Sequence, residues 1–176
     1  GADDTGDDFG GGRDLDHTRQ NVRDNIKAYL SFLLTDLGYD GFRYDMVKGY
    51  AAHYIGEYNT SANPTFSVGE YWDGNVQKVK EWIAGTRANG AIQSAAFDFP
   101  MKYVINDAFG QGRWNRLADA TLAADEAYSR YAVTFVDNHD TGRPKANGGD
   151  QLYANVLAAN AYILTMPGTP CVFLRH

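Results

Sequence analysis

Five strand-like segments alternate with helical segments along the chain, and this order predicts an α/β fold with a parallel sheet. Two observations favour part of a (β/α)8 TIM barrel over an open doubly wound sheet. Acidic residues follow several different strands, as is typical of barrel enzymes. No G-x-G-x-x-G fingerprint opens a helix, which argues against a dinucleotide-binding domain. Five strands cannot close an eight-stranded barrel, so we expect an incomplete one.

The first part of the chain begins with a polar loop and continues with clear elements. Residues 1–17 are rich in Asp and Gly and predict either a flexible loop or a loop that binds a divalent cation. Apolar residues spaced by three and four predict a helix over 18–36, and Gly38 stands where a C-terminal glycine would end it. We expect a strand over 41–47 and a short helix over 51–58.

The remaining elements continue the alternation of strand and helix. In chain order the pattern predicts a strand over 65–72, a helix from Val76 to Ile83, a strand over 95–100, a helix over 101–109, a strand over 132–136, a helix from Leu152 to Ile163 and a strand over 169–174.

Composition limits the classes of partner. The chain has 176 residues, 44% of them hydrophobic, which is enough for a core. A net charge of −6 without any basic run argues against a nucleic-acid partner. No apolar run approaches 18 residues, so we expect no membrane span. Cys171 is the single cysteine, so an internal disulfide is excluded.

Three acids each follow an apolar strand: Asp45, Glu70 and Asp140. Taken singly, each is better explained as a helix cap or a member of a structural ion pair. Taken together at the ends of neighbouring barrel strands, they would converge on one face. Glycoside hydrolysis needs such a set, because one carboxylate attacks the sugar and another protonates the leaving oxygen.

Neighbouring residues suggest how these acids would differ. Strand alternation places Arg43, Asp45 and Val47 on one face, where Arg43 would favour the ionised form of Asp45. The apolar and aromatic neighbours of Glu70 would favour its protonated form by desolvation. We expect the two carboxyl groups to lie roughly 5–6 Å apart, as in a retaining pair. His139 could donate a hydrogen bond to a sugar hydroxyl.

Three segments together resemble one known family. GFRYDMVKG, FSVGEYW and TFVDNHDTG resemble the second, third and fourth signature regions of the α-amylase family, in the family's order and spacing. The likeness extends from GDDFGGGRDLDH to AYILTMPGTPCVF, nearly the whole chain. It is closest to the plant-type and maltooligosaccharide-forming bacterial branches, in which a Lys-Gly pair follows the nucleophile strand.

The resemblance implies a role for each matching residue. Asp45 would be the nucleophile, Glu70 the general acid/base and Asp140 the stabiliser of the transition state. The substrate-binding residues would be Arg43, Lys48, His139 and Trp72. The reaction would be cleavage of internal α-1,4-glucosidic bonds in starch- or glycogen-type α-glucans, with retention of configuration.

The resemblance also implies a structural calcium ion held between a loop domain and the barrel. The matching ligands would be the side chains of Asp8 and Asp14 and the backbone carbonyls of Gly11 and Gly49. Residues 1–17 would then end the calcium-binding loop domain. Residues 18–176 would form the C-terminal part of the catalytic barrel.

Two alternatives stay open at this point. The chain could be a non-catalytic fragment that binds α-glucan, or part of an α-glucan transglycosylase. The first signature region, the first three strands and the C-terminal β domain of the family have no counterpart here, so we expect the fragment alone to be inactive. By resemblance, the complete protein would be a monomer that is secreted or periplasmic.

Overall fold

The computed structural model describes residues 6–7, 10–11, 15–141 and 154–174. The chain divides into two compact units. The first unit comprises residues 1–72 and 81–96, and the second comprises residues 73–80 and 97–176.

Strands and helices alternate through the described residues, which confirms the predicted α/β class. The strands are β1 (Gly41–Tyr44), β2 (Phe66–Gly69), β3 (Ala95–Phe97), β4 (Ala132–Phe135) and β5 (Thr169–Cys171). The helices are α1 (Gln20–Thr35), α2 (His53–Ala62), α3 (Val76–Gly85), α4 (Phe99–Ile105) and α5 (Val156–Ile163). The predicted start of the last helix, Leu152, lies outside the described residues.

The first unit contains a parallel sheet whose register fixes the neighbours at its carboxyl edge. β1 pairs with β2 from Gly41 opposite Phe66 to Tyr44 opposite Gly69. β2 pairs in turn with β3, with Val68 opposite Ala95. Because parallel strands end at the same edge, the residues that follow β1 and β2 are brought side by side.

Helix α1 ends as its sequence predicts. Gly38 has a φ of 72°, in the left-handed region that glycine adopts without steric cost. Around it, the Leu37 N–H donates to the Phe32 carbonyl and the Tyr39 N–H donates to the Leu33 carbonyl. The bond from Tyr39 satisfies the Leu33 carbonyl, which the end of the helix would otherwise leave open.

At the end of β2, Gly69 is in contact with a buried indole ring. A Cβ atom at Gly69 would lie 2.1 Å from Cη2 of Trp82, which belongs to α3 and is buried. No real Cβ atom approaches a ring carbon so closely, so only glycine fits while the indole stays in this place.

The second unit is built around β4, whose four residues are all buried. β4 pairs in parallel with β5, with Val133 opposite Thr169 and Phe135 opposite Cys171. The Phe135 ring packs edge-to-face against the rings of Phe97 and Phe99, at centroid distances of 5.4 and 5.1 Å. Edge-to-face aromatic pairs of this kind stabilise a core beyond the area that they bury.

Helix α4 begins two residues earlier than predicted because a buried carboxylate caps it. Asp98 accepts hydrogen bonds from the backbone N–H of Met101 at 3.0 Å and of Ala123 at 2.8 Å. Pro100 lies in the first turn, where its missing N–H costs no helical hydrogen bond. Burial raises the pKa of the Asp98 carboxyl, and the backbone N–H donors oppose that rise.

The predicted strand over 41–47 is wrong beyond its fourth residue. β1 ends at Tyr44, Met46 adopts a left-handed conformation with φ 47° and ψ 43°, and a 3-10 turn spans Val47–Gly49. Val47 is fully buried whereas Asp45 is exposed, so these two residues do not share one face of a strand as alternation predicts. The turn at Met46 breaks the two-residue periodicity.

One ion pair in the second unit is almost completely buried. Nζ of Lys102, on α4, lies 3.9 Å from Oδ1 of Asp137, which follows β4. Only 3% of each side chain is exposed. A charge removed from water to this extent needs charged or polar partners inside the protein, because these must replace the lost hydration.

We therefore expect Lys102→Met to lower the free energy of unfolding of the complete protein by about 3–5 kcal/mol, since it removes the cation that pairs with the buried Asp137 carboxylate. The matched control is Lys78→Met. Lys78 pairs with Asp73 at 3.5 Å but is 58% exposed, so its loss should cost about 0–1 kcal/mol. Denaturant unfolding measures the free energy of unfolding of both variants. Equal losses of this free energy in the two variants would show that burial of the Lys102–Asp137 pair does not add to its contribution to stability.

Candidate active site

Two of the predicted acids lie at the adjacent carboxyl ends of β1 and β2. Asp45 directly follows Tyr44, the last residue of β1, and Glu70 directly follows Gly69, the last residue of β2. The backbone N–H of Glu70 donates to the Tyr44 carbonyl at 2.9 Å, which extends the ladder between the two strands by one bond. Strand register therefore holds the two acids next to each other.

One guanidinium group joins these two acids. Arg43 Nη1 donates to Asp45 Oδ1 at 2.8 Å. Nη2 of Arg43 lies 2.8 Å from Glu70 Oε1, as an ion pair without the alignment of a hydrogen bond. The structure thus brings together three of the residues that the sequence singles out, Arg43, Asp45 and Glu70.

The two acids differ sharply in their exposure. The Asp45 side chain is 66% exposed, whereas the Glu70 side chain is 6% exposed. Burial is the largest influence on the pKa of Glu70 and raises it, and hydrogen bonding to Asp45 raises it further. The Met46 N–H and the Arg43 charge act in the opposite direction. The net result is a raised pKa, in the direction that desolvation by apolar neighbours predicts.

Lys48 and Trp72, the other predicted substrate contacts in this unit, flank the strand ends. Lys48 lies in the 3-10 turn after Met46, with Nζ 3.0 Å from Asp7 Oδ2 and 5.6 Å from the centre of the Tyr71 ring. Trp72 is 38% exposed. An exposed indole and a half-exposed ammonium group are both suited to contact a polar, ring-shaped ligand.

The polar loop at the start of the chain contacts the same turn through its backbone. The Asp7 N–H donates to the Lys48 carbonyl at 2.7 Å. A Cβ atom at Gly6 would lie 2.3 Å from that carbonyl oxygen and 2.4 Å from the carbonyl carbon of Gly49. The loop backbone therefore approaches the turn as closely as glycine allows.

The predicted calcium ligands are only partly within the described residues. Gly49 ends the 3-10 turn, and Gly11 lies in an exposed turn. Asp8 and Asp14 lie outside the described residues. Within residues 6–7, 10–11, 15–141 and 154–174, no three His, Cys, Asp or Glu side chains are grouped so that they could hold a metal ion.

His139 and Asp140 lie in the second unit, in a polar turn that follows β4. His139 Nε2 lies 3.2 Å from Asp140 Oδ2, and both side chains are exposed. Asn138 organises the turn, because its Oδ1 accepts from the Asp140 N–H at 3.1 Å and from the Thr141 N–H at 3.0 Å. Asp140 is therefore presented by a closed turn and not directly by the end of the strand.

Sequence reasoning missed the residues that shape this turn. Asp137 Oδ1 accepts from the Thr141 hydroxyl at 2.6 Å, and Asp137 is also the partner of the buried Lys102. Asp and Asn directly after a buried strand are a signal for a side-chain-capped turn, so this feature could have been found.

No comparable sequence signal predicts the left-handed conformation of Met46, since Met has no preference for that conformation.

Comparison with known proteins points to the same family that the sequence motifs resemble. The family model described as "Alpha amylase, catalytic domain" matches residues 8–174. A protein of Arabidopsis thaliana named probable alpha-amylase 2 is 40% identical over 189 residues, covering 98% of this chain and 44% of the relative. A glucan 1,4-alpha-maltotetraohydrolase of Stutzerimonas stutzeri is 34% identical, covering 98% of this chain and 34% of the relative. Relatives named as chloroplastic and as cytoplasmic, from Arabidopsis thaliana and Escherichia coli, also match.

The fold has a solved counterpart. The crystal structure of an Anoxybacillus alpha-amylase superposes on 93% of this chain with a TM-score of 0.68, at 21% sequence identity, and 37% of that chain is covered. This likeness confirms the predicted fold class, with the strands and helices described here corresponding to part of an amylase barrel. The chain spans less than half the length of the relatives it matches. Since the family model covers nearly all of its residues, the chain belongs to the α-amylase catalytic-domain family.

Proposed function

We propose that the complete protein hydrolyses internal α-1,4-glucosidic bonds of starch- or glycogen-type α-glucans, with retention of configuration. One observation carries the proposal. A single guanidinium group, that of Arg43, contacts both Asp45 and Glu70 at neighbouring strand ends. A pair of carboxyl groups held close together is what a retaining glycosidase requires, because the second carboxylate must reach the sugar carbon itself.

The reaction has two steps. In the first, Glu70 donates its proton to the glycosidic oxygen while an Asp45 oxygen attacks the anomeric carbon, so the carbon–oxygen bond to the leaving sugar breaks and a covalent glycosyl-Asp45 ester forms. In the second, Glu70 takes a proton from water, the water oxygen attacks the same carbon, and the ester bond breaks to release Asp45 as a carboxylate. Two inversions give overall retention.

The division of roles follows from burial. A general acid must still carry its proton near the working pH, and burial raises the pKa of Glu70. A nucleophile must be ionised, and Asp45 is both exposed to water and paired with Arg43. The reverse assignment would ask the better solvated acid to hold its proton.

The remaining predicted residues complete the proposal by family resemblance. Asp140 would stabilise the flattened sugar of the transition state, with His139 contacting the same sugar. Lys48 would bind on the leaving-group side. The Trp72 indole would cover one face of a sugar ring, since an aromatic face packs well against the C–H groups of a pyranose.

The family generally binds calcium, and we propose one structural calcium ion held by Asp8, Gly11, Asp14 and Gly49. The close backbone approach of residues 6–7 to Lys48 and Gly49 supports this position, because carbonyl oxygens from the loop and the turn would lie within reach of one hard cation. The ion would fasten the loop to the barrel. We also propose that residues 1–17 end the loop domain and residues 18–176 belong to the barrel.

Partners and compartment complete the proposal. The partner is an α-glucan or maltooligosaccharide, bound by a monomer that is secreted or periplasmic. Among the described residues, no helix is long and apolar enough to cross a membrane. Cell fractionation of the native host with an antibody to this segment tests the compartment.

Exchange of each acid for its amide separates the two catalytic roles. We expect Asp45→Asn and Glu70→Gln each to lower kcat on soluble starch by about a thousandfold or more. The control Glu126→Gln replaces an exposed acid of the second unit and should leave kcat unchanged. Release of reducing ends by the complete protein measures all three variants.

An activated substrate then tells the nucleophile from the acid. Maltosyl fluoride has a leaving group that needs no proton, so Glu70→Gln should still form the covalent intermediate from it, whereas Asp45→Asn should not. Mass spectrometry of the trapped protein detects the added sugar. Wild-type protein that binds starch but releases no reducing ends would refute the hydrolase and favour the binding fragment. Predominant sugar-to-sugar transfer would favour the transglycosylase.

The pH dependence of kcat/KM should follow Glu70. Activity falls as pH rises through the pKa of the acid, because the proton needed for the first step is lost. We call the fall of kcat/KM on the high-pH side of the profile its upper limb. Since the pKa of Glu70 is raised from 4.5, this upper limb should lie at higher pH than the pKa of an ordinary Glu would place it. Arg43→Gln removes a charge that lowers this pKa, so it should lower kcat and move the upper limb to higher pH. A limb that stays in place or moves to lower pH would show that Arg43 does not govern Glu70.

Removal of calcium should loosen the loop and lower thermal stability. We expect a chelator to lower the Tm of the complete protein, and added calcium to restore it more effectively than magnesium, because the proposed site offers several carbonyl and carboxylate oxygens in a flexible arrangement. Asp14→Asn should weaken the calcium dependence. A Tm that is indifferent to chelator and calcium would remove the metal from the proposal.

A further inference from the structure

We propose that Met46 is a positioning residue for the acid/base: its left-handed backbone turns its N–H toward Glu70 and fixes that carboxyl group beside Asp45. The inference rests on the proposed function, since it deepens the account of the same site. It concerns the residue directly after the nucleophile, which neither composition nor periodicity distinguishes.

The conformation of Met46 is unusual for its residue type. Among the described residues, three other than glycine have a positive φ, and they are Met46, Asn63 and Asn89. Asn tolerates this region because its short polar side chain can bond to the nearby backbone. Met has no such compensation, so the left-handed conformation at position 46 costs energy that neighbouring contacts must offset.

Two backbone hydrogen bonds hold Met46 in place. Its N–H donates to Glu70 Oε2 at 3.3 Å, and its carbonyl accepts from the Gly49 N–H at 3.0 Å. If β1 had continued in register beyond Tyr44 and Gly69, position 46 would instead have been paired with the backbone at Tyr71. The turn therefore redirects an N–H from the sheet to the acid.

The result is that each oxygen of Glu70 has its own contact. Oε1 lies against the Arg43 guanidinium, and Oε2 accepts from the Met46 N–H. Among the described residues of this unit, the charged groups that face Glu70 are Arg43 and Asp45, both at the end of β1. With both oxygens held, the carboxyl group cannot rotate freely away from the sugar oxygen that it must protonate.

A simpler explanation is that the turn serves only to bury Val47, which is fully buried one residue later. The two explanations differ in one measurable respect. If the turn only buries Val47, disturbing it lowers stability and leaves the protonation of Glu70 unchanged. If the turn positions Glu70, disturbing it also removes an N–H donor that favours the ionised acid.

The isomers Met46→Ile and Met46→Leu make a matched pair. They have the same atoms, but branching at Cβ makes the left-handed conformation far less accessible to Ile than to Leu. In the complete protein we expect the Leu variant to keep the wild-type upper limb of kcat/KM against pH. The Ile variant should move that limb to higher pH and lower kcat about tenfold, as a misplaced acid would.

Met46→Val and Met46→Ala provide a second comparison, with smaller side chains, if the Ile variant is too unstable to assay. Val branches at Cβ and Ala does not, so the left-handed region is far less accessible to Val. The Val variant should therefore show its upper limb at higher pH than the Ala variant.

A shared upper limb for Ile and Leu, or for Val and Ala, would overturn the positioning role even if the Tm values differ. The proposed function fails in another way. A wild type that is inactive on both starch and maltosyl fluoride would overturn the hydrolase and the positioning role together. An active wild type whose matched variants share one limb would overturn only the role of Met46.

Discussion

The site depends on one cation that contacts two acids of unlike exposure. Arg43 reaches Asp45, which faces water, and Glu70, which does not. The contact exists because β1 and β2 run parallel with Tyr44 opposite Gly69, so both acids follow their strands at the same level. A slip of one residue would carry one acid to the other face of the sheet. Register is therefore as important to this site as the identity of its acids.

In each unit, a tight turn after a strand orients one of the predicted acids. After β1, the left-handed Met46 directs an N–H to Glu70. After β4, Asn138 and Asp137 accept hydrogen bonds that close the turn presenting Asp140. The two turns differ in what stabilises them. The first is held by the acid that it serves, whereas the second is anchored to the interior by the buried Lys102.

The order of elements was predictable from sequence, and the details at strand ends were not. Apolar periodicity predicted each strand of the described residues, and Gly38 marked the end of α1, because both signals lie in short stretches of sequence. The end of β1 escaped prediction because tertiary contacts hold Met46 in a conformation that its side chain does not favour. Burial of Lys102 also escaped it, since lysine is normally a surface residue. The acids themselves were found through motif resemblance more than through periodicity.

The contact between Gly69 and Trp82 has a consequence for how this sequence can change. Any side chain at the position before Glu70 would overlap the indole ring. We therefore expect the two positions to covary, because a larger residue at 69 becomes acceptable only after a smaller one has replaced the tryptophan. If the substitutions arise one at a time, a smaller residue must first replace Trp82, and the protein must tolerate the resulting cavity. Directed libraries around the acid would gain most by leaving Gly69 fixed or by varying both codons at once.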